Sequence, residues 1–278
     1  MEELLANAAP EGQRLYTVLN WALLGGGLVV ATLLVVYLRR NQSDHTALTH
    51  DIVRRSWNTL QIGILLGVLF LLYFLASFIG MFFYEEQIPL VQLITTVVIY
   101  SIIVVIITVI NRRRGGSWEV SCGMGIRQMQ KLIISPLLYL AFIPFLMVIS
   151  KAYHLLLEYI LGSEVELQEV AQIVTQELSW VQILYIAMAI LVAPLYEELL
   201  FRGIIFPYMV KRTGLAGGAL LVSLLFALLH FHLPSVVPLF LLSVALCLAY
   251  WRTGSLWVSI GIHTIFNTVS ILVLNVVG

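Results

Sequence analysis

Eight apolar runs, near 15–38, 60–83, 90–110, 132–156, 180–209, 216–231, 236–250 and 256–276, fill most of this chain. About 20 consecutive apolar residues cross the hydrocarbon of a bilayer as a helix, and only a helix or a closed barrel satisfies its own backbone there. The runs are continuous and do not alternate in polarity over ~10 residues, which favours helices over barrel strands. Composition agrees: 60% of residues are hydrophobic and 11% charged, against about 25% charged in a soluble domain. The expected fold class is all-α, a polytopic membrane protein of about eight transmembrane helices around a buried polar site. The runs at 216–231 and 236–250 are short for a full span, so protein or a polar cavity is expected around them.

Lys and Arg concentrate in cytoplasmic loops. Twelve of the fifteen basic residues fall on alternate loops: Arg39, Arg40, Arg54 and Arg55; Arg112, Arg113, Arg114, Arg127 and Lys131; Lys211 and Arg212; Arg252. Opposite them lie Glu85 and Glu86, and then Glu158, Glu164, Glu166, Glu169 and Glu177. This alternation predicts an even helix count, with both termini on the non-cytoplasmic side. Glu2 and Glu3 open the chain without the basic flank of a signal peptide. A net charge of zero argues against a nucleic-acid partner. Cys122, read as a loop residue, and Cys247, in an apolar helix, suggest neither a disulfide framework nor a cysteine metal site.

The chain divides at 117–131. Residues 1–116 form an N-terminal three-helix membrane region, 117–131 a cytoplasmic juxtamembrane linker, and 132–278 the part bearing the polar motifs. The linker is expected along the membrane surface, with Trp118 at the interface and Arg127 and Lys131 near headgroups. Gly63-x-x-x-Gly67 fits a close helix contact, and the consecutive glycines 25–27 read as helix packing.

Three short motifs place ionisable side chains inside these runs: Glu197-Glu198-x-x-x-Arg202, Phe226-x-x-x-His230 and His263-x-x-x-Asn267. A charge at the bilayer centre costs roughly 3 kcal/mol on insertion scales, and such residues mark functional sites. Neighbouring helical residues point about 100° apart, so Glu197 and Glu198 need separate roles. Glu198 and Arg202, four apart, share a face and make a natural ion pair. Glu197 is then left facing a cavity, where a carboxylate can act as a general base. His263 and Asn267 also share a face and can both reach one small target, such as a developing oxyanion or a water. His230 closes the sixth run with Phe226 one turn back, packed against the imidazole. The plain alternatives are that Glu197 and Glu198 merely hold a polar helix contact with Arg202, that His263 bonds a backbone carbonyl while Asn267 holds helices together, and that His230 is an interfacial histidine at a helix end.

Other polar residues carry less. His232, beside Pro234, reads as a turn residue, His154 with Glu158 as an interfacial pair, and His45 and His50 as surface residues. A His-Glu-x-x-His zinc motif, a Gly-x-Ser-x-Gly nucleophile and a phosphate loop are all absent from the sequence.

The ordered set of motifs resembles the CPBP family, which includes the type II CAAX prenyl endopeptidases and the bacteriocin-processing or self-immunity proteins of the Abi group. The resemblance covers about residues 130–276, including LYEELLFRGIIFPY and GSLWVSIGIHTIFN. It implies an intramembrane endopeptidase in which Glu197 and His230 activate a water and His263 with Asn267 stabilise the oxyanion. Glu198, Arg202 and Phe226 would support them. No cofactor is needed for these roles. Zinc held by Glu197, His230 and His263 is the competing view, and Asn267 is a poor zinc ligand. The implied partners are the bilayer and a membrane-associated peptide or protein substrate, prenylated or carrying a leader. The implied location is a bacterial inner membrane, or the endoplasmic reticulum in a eukaryote. Two rivals use the same residues differently: a membrane binding or immunity protein that does not cut, and a proton- or ion-coupled transporter. Against the latter, paired repeats with interrupted helices are not evident.

Overall fold

The structure, a computed structural model, describes residues 10–40, 44–82, 88–162 and 179–277. The acidic residues Glu85, Glu86, Glu164, Glu166, Glu169 and Glu177, used above for orientation, lie outside the described residues. The helices are α1 (Pro10–Arg40), α2 (His45–Arg54), α3 (Thr59–Gly80), α4 (Ile88–Arg113), the short α5 (Trp118–Cys122) and α6 (Ile126–Met129), and α7 (Ser135–Leu161). After them come α8 (Trp180–Ala187), α9 (Ala193–Glu198), α10 (Phe206–Leu228), α11 (Val236–Thr253) and α12 (Leu256–Val277). Two stretches of wide π-type turns, Met188–Val192 and Leu199–Ile205, join α8, α9 and α10 into one continuous segment.

Local chemistry sets several of these boundaries. Asn58 and Gln61 exchange reciprocal side-chain-to-backbone hydrogen bonds at the start of α3, and Ser179 and Gln182 do the same at the start of α8. Each pair satisfies two backbone N–H groups that the first turn of a helix leaves over. Gly162 and Gly254, at φ 66° and 65°, end α7 and α11 in the left-handed conformation that glycine adopts without strain.

Among the described residues, seven segments have the length and hydropathy of a membrane span, and the protein is a multi-pass integral membrane protein. The fifth of them, Trp180–Leu228, is 49 residues long, far more than one crossing needs. Gly214 breaks it with φ 74° and ψ 176°. A straight helix would separate Phe201 and Phe226 by roughly 37 Å, whereas their ring centroids are 5.0 Å apart. The segment therefore doubles back at Gly214, so the runs read as separate helices at 180–209 and 216–231 are the two arms of one hairpin. Gly218 lies so close to the other arm that a Cβ there would sit 2.7 Å from Val210 Cγ2.

One core extends from Ile52 to Ile262, centred on α10, α11 and α12, with α7 packed against α1, α11 and α12. Pro144 interrupts α7 and removes the donor for the Leu140 carbonyl. Gly27 of α1 lies against that carbonyl, where a Cβ would come within 2.4 Å of both Leu140 O and Pro144 Cγ. Helix packing is thus realised at Gly27, while Gly25 and Gly26 have open space. The contact expected at Gly63 and Gly67 is not formed: nothing lies within 4 Å of a Cβ built at either. Ile62 and Leu65 take the inner face of α3 and turn both glycines outward.

Two stretches read as loops have more structure than expected. Within 39–59, Asp44 accepts from the N–H groups of Thr46 and Ala47 and starts α2, which Ile52 anchors in the core. Within 117–131, Cys122 closes α5 and is 1% exposed, so it is a core residue and its expected place in a loop is corrected. Tyr250 Oη donates to its carbonyl, and Leu256 N donates to Gly123 O. Both bonds tie the segment to the α11–α12 turn.

Candidate active site

Glu197 and Glu198 sit at the C-terminal end of α9, between the two wide-turn stretches. Each stretch has a proline two residues beyond it: Pro194 clashes with the carbonyl of Ile190, and Pro207 with that of Gly203, if the helix keeps its ordinary register. Widening the turn relieves the clash. The register shift has a further effect. Ala193 gives its N–H to Met188 O, and the next residue in the wide register, Pro194, has no N–H to give. The Ala189 carbonyl is thereby available, and Asn267 Nδ2 of α12 donates to it at 2.7 Å.

Glu198 and Arg202 are both fully buried and form an ion pair, Oε1 to Nη1, at 2.7 Å. Arg202 also donates from Nη2 to Ser243 Oγ at 2.7 Å and to Ser243 O at 3.2 Å on α11. Its guanidinium lies 4.8 Å from the centre of the Phe226 ring. A buried charge pair needs its remaining polar atoms matched; here Ser243 takes Nη2, while Arg202 Nε and Glu198 Oε2 are buried without a hydrogen-bond partner.

Glu198 Oε1 has a second partner, His263 Nδ1, at 2.9 Å. A carboxylate on an arginine accepts, so Nδ1 donates and fixes the imidazole plane. The other ring nitrogen, Nε2, then points at Glu197 Oε2, 3.8 Å away. The Glu197 side chain is 20% exposed, against 0% for Glu198, which places the two neighbouring carboxylates in different environments. Beside Glu197, Tyr196 stacks on Tyr100 of α4 with centroids 3.6 Å apart.

His230 Nδ1 lies 2.7 Å from Phe226 O. A carbonyl can only accept, so Nδ1 donates and Nε2 of the neutral ring is an acceptor. The Phe226 ring is the common neighbour, 4.8 Å from His230 and 5.9 Å from His263. The structure thus brings Glu197, Glu198, Arg202, Phe226 and His263 into one buried cluster. His230 joins through Phe226, and Asn267 sits one turn beyond His263 on the Ala189 carbonyl. His232 is apart from them, with Nδ1 2.7 Å from Ser235 Oγ.

Among the described residues, no three His, Cys, Asp or Glu side chains are grouped so as to hold a metal ion. Nδ1 of each histidine is used as a donor, to Glu198 and to the Phe226 carbonyl, which leaves Nε2 of each ring open.

Sequence reasoning missed Ser243 and the Ala189 carbonyl. A serine inside the apolar run LLSVALC was the available signal for the first. The second depends on helix register and leaves no mark in residue type. A cavity of about 660 Å³ opens beside Tyr196, lined by Tyr100, Val104, Trp118, Met124, Tyr196 and Leu199. None of the candidate residues lines it.

Residues 179–269 match the family model described as type II CAAX prenyl endopeptidase Rce1-like. Over 85 residues the chain is 31% identical to the "Putative membrane peptidase YdiL" of Bacillus subtilis (strain 168), an alignment covering 31% of this chain and 35% of that protein. The chain thus spans about a third of the length of the curated relative it matches. No solved structure gives a significant match. The stretch from α8 to α12 that holds every candidate residue is, over residues 179–269, the part of this membrane protein that matches the Rce1-like family.

Proposed function

We propose that the protein is an intramembrane endopeptidase that hydrolyses a peptide bond of a membrane-associated peptide or protein. The observation that carries this reading is the pairing of a partly accessible carboxylate, Glu197, with a histidine whose far nitrogen is fixed by a buried Arg202–Glu198 pair. A partly accessible carboxylate supplies a base for water, and an oriented imidazole beside it supplies a donor for the oxyanion.

Glu197 takes a proton from water as the water oxygen attacks the scissile carbonyl carbon, and returns it to the departing amine. His230, with Nε2 as acceptor, holds the same water. Asn267 has two N–H groups, so it keeps Ala189 O and still offers one to the oxyanion. Donation by His263 from Nε2, with Nδ1 on Glu198, requires the doubly protonated ring. That charge would bring Glu197, Glu198, Arg202 and His263 together to net zero. The apolar groove beside Tyr196 offers room for a greasy part of the substrate, prenyl or leader.

The test is direct. Purified protein in liposomes, offered a peptide library, should generate new termini by mass spectrometry, with the same rate before and after exhaustive chelation. Activity lost with chelator and restored by zinc would recast Glu197, His230 and His263 as ligands.

We place the basic loops in the cytoplasm and both termini outside, in a bacterial inner membrane or the endoplasmic reticulum of a eukaryote. Single cysteines at Ser43 and Ser117 should then label from the inside, and one at Val165 from the outside. Labelling of positions 43 and 165 from one side would overturn the topology.

A further inference from the structure

The family match begins at residue 179, yet two helices from the first half of the chain reach the candidate site. The charge of Glu197 acts on the hydroxyls of Tyr73 of α3 and Tyr100 of α4, as it does on that of Tyr196, its own neighbour on α9. Three phenols from three helices thus lie close to the carboxylate that His263 Nε2 faces. Two of them meet: the Tyr100 and Tyr196 rings are stacked, 3.6 Å between centroids and 13° from parallel.

Both rings line the cavity of about 660 Å³ between α4 and the hairpin arm that carries Glu197. Val97 and Val104 of α4 flank Tyr100 in its wall, and Val192 and Leu199 flank Tyr196, so the pair stands midway along a groove. Val97, Val192 and Leu195 are exposed and give the groove an open, apolar side. Tyr196 is 5% exposed and forms its floor. Its Oη is buried without a hydrogen-bond partner, so stacking on Tyr100, rather than the hydroxyl, holds the ring. Neighbouring helical residues point about 100° apart: Tyr196 turns to the groove, and Glu197 turns to His263. Groove and site are therefore continuous through one pair of rings.

We propose that Tyr100 is a positioning residue: its stack with Tyr196 is the partition between the groove and Glu197, and it fixes which peptide bond of an apolar substrate segment seated in the groove meets the carboxylate. The inference rests on the peptidase reading above and adds to it a residue from outside the family match. One residue of extended chain spans about 3.3–3.6 Å, and the Tyr100 ring fills a layer 3.6 Å deep over Tyr196. With the ring in place the segment stops at the stack. With the ring gone the vacated layer admits one further residue, and a neighbouring bond reaches Glu197. Only the flat ring is required for this, so phenylalanine serves as tyrosine does.

The experiment has two arms, both on the full chain in liposomes. In the first, an apolar peptide that wild type cuts is digested and its products are mapped by mass spectrometry. Tyr100→Ala should move cleavage to an adjacent bond, the ratio of original to shifted product falling about 10-fold, the scale of one aromatic pair. Tyr100→Phe should restore the wild-type ratio. Tyr100→Leu, which keeps bulk without a flat ring, should shift cleavage in the same direction and covers the case in which the alanine variant misfolds. Tyr159→Ala, at the exposed end of α7, should cut where wild type cuts. An unchanged product pattern in the folded Tyr100 variants, with only yield or unfolding temperature lowered, would overturn the proposal and leave Tyr100 a packing residue. The second arm needs no catalysis. Glu197→Cys is labelled with lipid-soluble N-phenylmaleimide, and peptide mapping separates position 197 from the buried Cys122 and Cys247. Labelling should quicken several-fold when Tyr100→Ala is added, and equal rates would overturn the partition. A wild type that cuts no peptide would overturn the peptidase reading and the positioning role with it, while this arm still decides the partition.

Discussion

Replacement of Glu197 by Gln is expected to abolish peptide cleavage while the protein accumulates and unfolds as wild type does. Removing an essential general base costs about 100-fold or more in rate, roughly 3 kcal/mol in barrier. The side chain is the partly accessible member of the pair and makes no short hydrogen bond to the buried network, its nearest partner being His263 Nε2 at 3.8 Å. Single-turnover cleavage of the cognate peptide, beside thermal unfolding in detergent, reads both halves of this expectation. Full activity in the variant would remove Glu197 from the reaction. An uncleaving variant that still complements a deletion phenotype would favour the non-cutting binding protein, and proton flux in liposomes lost in the same variant would favour transport.

Glu198→Ala and Arg202→Ala should behave differently, with folded protein lost together with activity. Each change strands a charge in a fully buried position, and breaking such a pair costs about 3–5 kcal/mol. Arg202→Ala leaves Glu198 with only the imidazole as partner. Glu198→Ala leaves the guanidinium on Ser243 and also releases His263 Nδ1. The two replacements together should cost less than their sum, since they act on one interaction. Thermal unfolding of the four proteins in one detergent provides that cycle. Additive losses would show that the pair is not the unit described here.

The apolar runs made the helices legible, because length and hydropathy alone decide what can cross a bilayer. They located even the two arms of the hairpin at Gly214, where the polar punctuation Lys211-Arg212-Thr213-Gly214 interrupts the run. The four-residue spacing also made the Glu198–Arg202 pair legible, since both ends lie on one helix. Contacts between helices were another matter. That His263 would choose Glu198 as the partner of Nδ1, and that Ser243 would close the far side of Arg202, depends on how α9, α11 and α12 rotate against one another. Gly63 and Gly67 illustrate the same limit from the other side: the spacing of small residues was present, and the helix turned them outward. Short helices such as α2 were hidden because their polar surface resembles that of a loop, and only the Asp44 cap and the buried Ile52 distinguish them.

The two prolines beside the glutamates have an implication for how such a site changes over generations. A wide turn closes over five residues instead of four, so it inserts about one residue into the helical count and rotates everything beyond it by roughly 100°. Met188–Val192 and Leu199–Ile205 therefore work as phase shifters placed before and after the acidic pair. Losing one of them would turn the pair, or the arginine that follows it, to another face without altering a single functional side chain. In a lineage of such proteins, the angular position of the carboxylates can be reset by a change at Pro194 or Pro207, residues with no ionisable group of their own.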